Sequence, residues 1–101
     1  MSATMIAGQL KTWPGDLDQI QQGSKRAEVR RCDDRNFRVG QVWELVPWDP
    51  ATAQGLPSLD SVFIRITHIE RMAGPLIVAG VGRRVQPAIP LAVLSFELAT
   101  R

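Results

Sequence analysis

The stretch "GSKRAEVRRCDDRNFRVG", from Gly23 to Gly40, carries most of the information about the fold and function of this chain. Between Lys25 and Arg38 it holds six basic and three acidic residues, a net charge of +3. Because the whole chain has a net charge of +2, the other residues sum to −1. A local basic patch can attract a polyanion even when the total charge is small. A solvated hairpin can have the same composition, so both interpretations are open.

One short helix is predicted immediately before the charged stretch. Pro14, followed by Gly15 and Asp16, provides a helix start, and Gly23 provides a natural C-terminal stop. Between them, Leu17 and Ile20 lie on one face. The predicted helix is about two turns long.

The charged stretch itself begins with a predicted strand. The alternation in "KRAEVRR" places Ala27 and Val29 on one face and Glu28 and Arg30 on the other. Further strands are predicted in "RVGQVWELV", "SVFIRITHIE", "PLIVAGVG" and "LAVLSFEL". The side chains predicted to form one buried core are Val29, Trp43, Leu45, Ile64, Ile66, Val78, Leu94 and Phe96. In the last strand, Leu98 is also predicted to point inward.

Length and composition are those of one soluble domain. The chain has 101 residues, with 45% apolar and 22% charged residues, and no apolar run approaches the roughly 20 residues of a membrane helix. Residues 1–8 lack the basic region of a signal peptide, and a single cysteine, Cys32, suits a reducing compartment. We therefore expect a cytoplasmic protein with a flexible tail over residues 1–8 and a single domain over residues 9–101.

The number of short strands predicts the fold class. Five or so strands and one or two short helices favour an α+β, mainly β fold, built as a compact small β-barrel. Prolines at positions 47, 50 and 57 predict a long irregular loop over residues 47–61, and a second loop is predicted over residues 82–90. Loops of this length in a small barrel are often functional.

The motif residues also support a family resemblance. They are Leu10-Lys11, Gly23, Lys25, Glu28, Arg30, Asp34-Arg35-Asn36-Phe37 and Val39-Gly40. This pattern resembles the ASCH domains of the PUA-like superfamily, and in particular a small branch found in bacteria and their phages. The resemblance implies a PUA-like barrel with a cleft for RNA or nucleotides. Three departures are Gln9 in place of the usual histidine, one extra residue between Arg30 and Asp34, and a second loop without tyrosine.

With this resemblance, the residues of the Gly-x-Lys-x-x-Glu-x-Arg motif become candidates for the ligand site. A cation and a carboxylate at the mouth of a barrel could bind a base edge and its phosphate. A surface ladder of charges, worth under about 1 kcal/mol, is the simpler alternative. The predicted ligand-binding residues are Lys11, Lys25, Glu28, Arg30, Arg31, Arg35, Arg38 and Trp48.

Two other functions are open. Some ASCH proteins hydrolyse a modified nucleoside or cut RNA, and Lys25 and Glu28 would then be the catalytic pair. Because Glu28 stands where those amidohydrolases have a hydroxyl residue, binding of RNA or a nucleotide is the preferred prediction. The third possibility is a phage-derived adaptor for a host protein. We expect no cofactor, no membrane association and no metal, since one His and one Cys do not form a usual site.

The remaining candidates each have a structural alternative. Arg31, Arg35 and Arg38 could contact phosphates, or could pair with the acidic residues of their own turn. Trp13 and Trp48 both flank prolines in or near predicted loops, and either could stack on a base if exposed. Trp48 is preferred because the prolines on both sides predict a loop there. His68 is predicted to share its strand face with Ile64 and Ile66, which favours a structural role.

Overall fold

The computed structural model describes residues 5–73 and 90–99. Strands account for most of this part of the chain, with a single helix, so the predicted α+β, mainly β class is confirmed. The elements in chain order are β1 (Ile6–Thr12), α1 (Pro14–Gln22), β2 (Ala27–Arg31), β3 (Val42–Asp49), β4 (Gln54–Gly55), β5 (Val62–Ala73) and β6 (Pro90–Leu98). Strand β1 begins at Ile6, three positions before the predicted start of the domain at residue 9.

The sheet has the strand order β1-β3-β5-β6-β2, with the short β4 paired to the end of β3. Strands β1 and β3 are parallel, and the other neighbours are antiparallel. Strands β1 and β2 therefore occupy the two ends of this order, and no backbone ladder joins them within the described residues. The described sheet is open, so the closed barrel stays a prediction.

Helix α1 follows the sequence signals closely. Trp13 is its extended N-cap residue and Pro14 is the first helical residue, where a missing N–H costs nothing. Gly23 ends the helix in the left-handed region at φ 82°, and its N–H donates to the carbonyl of Ile20 at 3.1 Å. Leu17 and Ile20, predicted to share one helix face, are both buried in the core. In the part of the chain that the structure describes, no helix is long and apolar enough to cross a membrane.

The core confirms most of the predicted strand faces. Trp43, Leu45, Ile64, Ile66, Leu94 and Phe96 are all buried. The prediction for Val29 is wrong, since this side chain is 58% exposed. Strand β2 instead turns Glu28 and Arg30 inward, with side-chain exposures of 11% and 23%. Val78 and the predicted "PLIVAGVG" strand lie outside the described residues, as does most of the predicted loop over residues 82–90.

A bulge in β5 corrects the prediction for His68. Ile66 pairs with Phe96, whereas His68 pairs with Ser95, so two β5 residues face one β6 residue. This insertion shifts the alternation by one, and Ile69 rather than His68 packs against the core. His68 therefore does not share the face of Ile66, and its side chain is 66% exposed. At the end of β6, the inward prediction for Leu98 is also wrong, because Leu98 is 52% exposed.

The loop between β2 and β3 is held by one buried aromatic residue. Phe37 has no exposed surface, and its ring lies 5.0 Å from the ring of Trp43. Gln41 ties the loop to the sheet, because its Oε1 accepts from both the Arg38 backbone N–H and the Trp43 indole N–H. The Phe37 carbonyl accepts from Arg71 at 2.9 Å. The loop is thus anchored by apolar burial and backbone contacts.

Candidate functional site

A cavity of about 210 Å³ lies between the two edge strands, at the C-terminal end of β1, the start of α1 and the middle of β2. We call it the β1–β2 cavity. Its lining residues are Lys11, Thr12, Trp13, Asp16, Glu28, Val29 and Arg30. The chain reverses from β1 into α1 at the Thr12–Pro14 corner and returns as β2 after Gly23, which brings these residues together.

Arg30 connects the two edge strands across this cavity. Its Nη1 donates to the backbone carbonyl of Lys11 at 3.1 Å, and its Nη2 donates to Thr12 Oγ1 at 3.2 Å. Thr12 is a buried polar residue, at 2% exposure, so this hydrogen bond satisfies a group that water barely reaches. One side chain therefore links β1 to β2 where the described residues contain no backbone ladder.

Glu28 lies at the centre of an ionic network. Its Oε2 is 2.8 Å from Arg30 Nη2, and its Oε1 is 3.4 Å from Lys25 Nζ. Lys25 also donates to Asp16 Oδ1 at 3.0 Å, which extends the network from β2 to helix α1. The four side chains, Asp16, Lys25, Glu28 and Arg30, form what we call the four-residue network. Its two cations and two carboxylates balance one another.

The network stabilises the protonated form of Lys25. Desolvation by burial lowers the pKa of the Lys25 amine, but the hydrogen bond to Asp16 and the charges of Glu28 and Asp16 outweigh it. The pKa of Lys25 is therefore raised above its ordinary value. A protonated amine is a hydrogen-bond donor and has no lone pair for a proton. Near neutral pH, this arrangement suits Lys25 to holding carboxylates and not to general-base chemistry.

Two tryptophans lie near this region. Trp13, and not the preferred stacking candidate Trp48, lines the cavity. Trp48 is in strand β3 instead of a loop, because β3 continues through Pro47 to Asp49. One face of the Trp48 ring is covered by the Lys11 ammonium, 4.0 Å from the ring centroid. Trp13 is 58% exposed and lines the β1–β2 cavity. The sequence signal for Trp13 is its place just before the helix-start proline.

The other predicted cations lie elsewhere. Arg31 donates to Asp33 at 2.6 Å, and Arg35 contacts Asp34 at 3.4 Å. Hydrogen bonding to Asp33 raises the pKa of Arg31, and the same bond lowers the pKa of Asp33. Neither arginine lines the cavity, and neither does Arg38 or Trp48. Of the predicted ligand-binding residues, the cavity lining contains Lys11, Glu28 and Arg30, with Lys25 bound directly to that lining.

Lys25 also borders a second cavity of about 280 Å³. It lies beyond the C-terminal end of α1, against the last residues of β6, and includes Arg26, Phe96 and Leu98. Lys25 is the one member of the four-residue network among its lining residues. The β1–β2 cavity, with three members of the network and an exposed indole, is therefore the stronger candidate site.

Comparison with known proteins identifies one family. The family described as "Domain of unknown function (DUF3850)" matches residues 7–80 of the chain. The matched range contains β1 from its second residue, all of α1 and β2, and every residue that lines the β1–β2 cavity. No curated protein matches the chain.

Proposed function

The chain belongs to the DUF3850 family, and we propose that it is a module that binds RNA or a nucleotide in the β1–β2 cavity. The observation that carries this proposal is an exposed indole, Trp13, beside a half-buried network of cations and carboxylates. Aromatic faces stack on bases of single-stranded nucleic acid, and polar side chains bond to the edges of the stacked base. We also propose that the fold is a PUA-like barrel. The support for this fold is the resemblance of residues 23–40 to the ASCH domains.

The size of the cavity suits a small part of a ligand. At about 210 Å³ it is smaller than the roughly 300–1,000 Å³ of pockets that enclose a drug-sized molecule. A single base or its edge is a reasonable occupant, with the sugar and phosphate outside. The exposed basic residues of the charged stretch then supply a salt-dependent attraction for the rest of a strand.

The experiment is a titration of the ¹⁵N-labelled protein with a short single-stranded RNA and, separately, with nucleoside monophosphates. We expect the largest chemical-shift changes at the Trp13 indole N–H and at the backbone amides of Thr12 and Asp16. Trp43 provides an internal control, since its indole is bonded to Gln41 and its side chain is buried. Changes confined to loop 32–41 would move the site away from the cavity. No binding of RNA, DNA or nucleotides would favour the adaptor.

A hydrolase is the second candidate, because a hydroxyl group, that of Thr12, lies in the cavity lining. This hydroxyl donates to the Leu10 carbonyl and accepts from Arg30, and within the described residues no carboxylate or amine is bonded to it as a base. Together with the raised pKa of Lys25, this arrangement favours binding over catalysis. Incubation with RNA and with acylated cytidine, followed by mass spectrometry, tests the choice. Turnover that disappears in Lys25→Ala would establish the hydrolase.

A further inference from the structure

We infer that the β1–β2 cavity selects bases that carry an exocyclic amino group, with Trp13 as the stacking surface and the Asp16 carboxylate as the acceptor. This inference rests on the proposed function and narrows it from nucleic acid in general to a chemical class of base. The support is that the donors of the four-residue network are mostly bonded within the protein, whereas one of its acceptors is not.

The donors of the four-residue network are mostly engaged. A guanidinium has five N–H donors. In Arg30, Nε contacts Glu28, Nη1 contacts the Lys11 carbonyl, and Nη2 contacts both Thr12 and Glu28. An ammonium has three donors, and that of Lys25 contacts Asp16 and Glu28. A phosphate that bound Arg30 or Lys25 would have to break bonds that hold β1, β2 and α1 together. Lys11, which also lines the cavity, has its ammonium over the Trp48 ring.

An acceptor, by contrast, is available at Asp16. A carboxylate offers about four lone-pair positions on its two oxygens. Oδ1 of Asp16 is bonded to Lys25, and among the described residues no hydrogen bond reaches Oδ2. The Asp16 side chain is one-third exposed, at 33%, whereas Glu28 is 11% exposed and has contacts on both oxygens. Asp16 is thus the carboxylate that a ligand can reach.

The charge of the site decides between classes of donor ligand. Because the two carboxylates of the four-residue network are matched by Lys25 and Arg30, the cavity has no excess negative charge to hold a cation. A neutral flat group with an N–H₂ donor fits both the carboxylate and the indole. Cytosine, adenine and guanine carry such an amino group, whereas uracil presents a carbonyl oxygen at the corresponding position of cytosine.

The ligand arm of the test compares oligocytidylate with oligouridylate of the same length, because both are pyrimidines with the same backbone. Fluorescence anisotropy of labelled eight-nucleotide strands at a fixed salt concentration gives both dissociation constants. We expect oligocytidylate to bind about tenfold more tightly, the effect of one charge-assisted hydrogen bond at a partly exposed site. If the wild type binds neither strand and no nucleoside monophosphate, the proposed function fails. If it binds both equally, the function stands and the inference fails.

The protein arm uses a matched pair of substitutions on the same helix. Asp16→Asn removes the charged acceptor and should reduce the preference for cytidine to about twofold or less. Asp18→Asn makes the same change two positions away, on a residue bonded to Gln22 and outside the cavity, and should keep the preference. Asp16→Glu, which keeps a carboxylate, should retain most of it. Equal loss in the Asp16 and Asp18 variants would overturn the inference, as would an undiminished preference in Asp16→Asn.

The stacking role of Trp13 is tested separately. Trp13→Ala should weaken the binding of oligocytidylate and of oligouridylate by a similar factor. We expect about tenfold for one lost stacking contact, because every base has a π-face. Trp13→Phe should restore most of the affinity for both strands. Unchanged binding in Trp13→Ala, with a wild-type thermal unfolding midpoint, would overturn the assignment of this indole.

Discussion

Two neighbouring regions of the charged stretch use the same residue types in opposite ways. In the segment from Lys25 to Arg30, the inward charges are part-buried and contact residues far away in sequence, since Arg30 bonds to groups 18 and 19 positions earlier. In loop 32–41 and the arginine that precedes it, the charges are exposed and pair locally. Arg31 bonds to a residue two positions away and Arg35 to its immediate neighbour.

This difference shows that charge density alone does not locate a site. The loop is held by the buried Phe37 ring, and its ion pairs lie at the surface, where such pairs contribute little. In the segment, the ion pairs connect α1 to β2, and the hydrogen bonds of Arg30 connect β2 to β1. Removal of one charge should therefore lower the free energy of unfolding when the charge lies in the segment, and hardly change it when the charge lies in the loop.

The largest expected effect comes from the apolar anchor of the loop. Phe37→Ala should lower the free energy of unfolding by about 3–5 kcal/mol, as truncation of a fully buried aromatic side chain does. Urea denaturation followed by far-UV circular dichroism measures the change. Phe37→Leu, which refills most of the space, should lose clearly less. A loss below about 1 kcal/mol in Phe37→Ala would mean that the loop ion pairs, and not the ring, hold the loop.

The next largest expected effect is a difference in stability between two variants that carry the same substitution at adjacent arginines. Arg30→Met should lower the free energy of unfolding by about 2 kcal/mol, because it leaves the Glu28 carboxylate and the Thr12 hydroxyl without a major partner. Arg31→Met should leave the urea midpoint at the wild-type value, since its bond to Asp33 lies at the surface. Equal losses in the two variants would remove the distinction between segment and loop.

The two regions should affect the stability of the protein at opposite ends of the pH range, the segment in alkali and the loop in acid. Because the pKa of Lys25 is raised above 10.5, its stabilising contribution is complete below that value and is lost as the pH rises through the folded-state pKa. Lys25→Met should therefore flatten the fall in stability above pH 10.5. The pKa of Asp33 is lowered below 3.8, so its contribution is present above 3.8 and is lost as the pH falls through the folded-state pKa. Asp33→Asn should leave the alkaline limb of thermal unfolding unchanged, and flattening there by Asp33→Asn would contradict this assignment.

The smallest expected effect concerns the loop cations and nucleic acid. Reversing Arg31 and Arg38 to Glu should weaken binding of single-stranded RNA. It should also flatten the dependence of log affinity on log salt by about one for each phosphate that the protein no longer neutralises. The matched single variants are Arg31→Glu and Arg65→Glu, because Arg65 is also in an exposed ion pair but lies in β5. A wild-type salt slope in the double variant would confine nucleic-acid contacts to the cavity.

Helix α1 is predictable because its signals are local. Pro14, Gly23 and the spacing of Leu17 and Ile20 all act within a few residues, and the structure has the helix as predicted. The inward face of β2 is not predictable in this way. Alternation correctly separates Val29 from Glu28 and Arg30, but partners on β1 and α1 decide which face is buried.

The errors at the site have similar physical causes. Flanking prolines predict a loop at Trp48, yet Pro47 is buried within β3. The bulge after Ile66 in β5 leaves no mark in a period-two pattern, so the alternation puts His68 on the wrong face. In the sequence, Asp16 is a helix-start residue and nothing more. Its second role depends on Lys25, nine positions later, and becomes visible only when the turn after α1 brings Lys25 back to the start of that helix.

The position of β1 and β2 at opposite ends of the strand order has a consequence for the order in which the protein folds. The two walls of the β1–β2 cavity are adjacent in sequence, but each is held by a different distant strand, β1 by β3 and β2 by β6. During synthesis, β1, α1 and β2 leave the ribosome long before β6 exists to pair with β2. Such non-local pairing forms slowly. We therefore expect the cavity to form late in folding, and a nascent chain that lacks β6 to contain all the cavity residues without a formed ligand site.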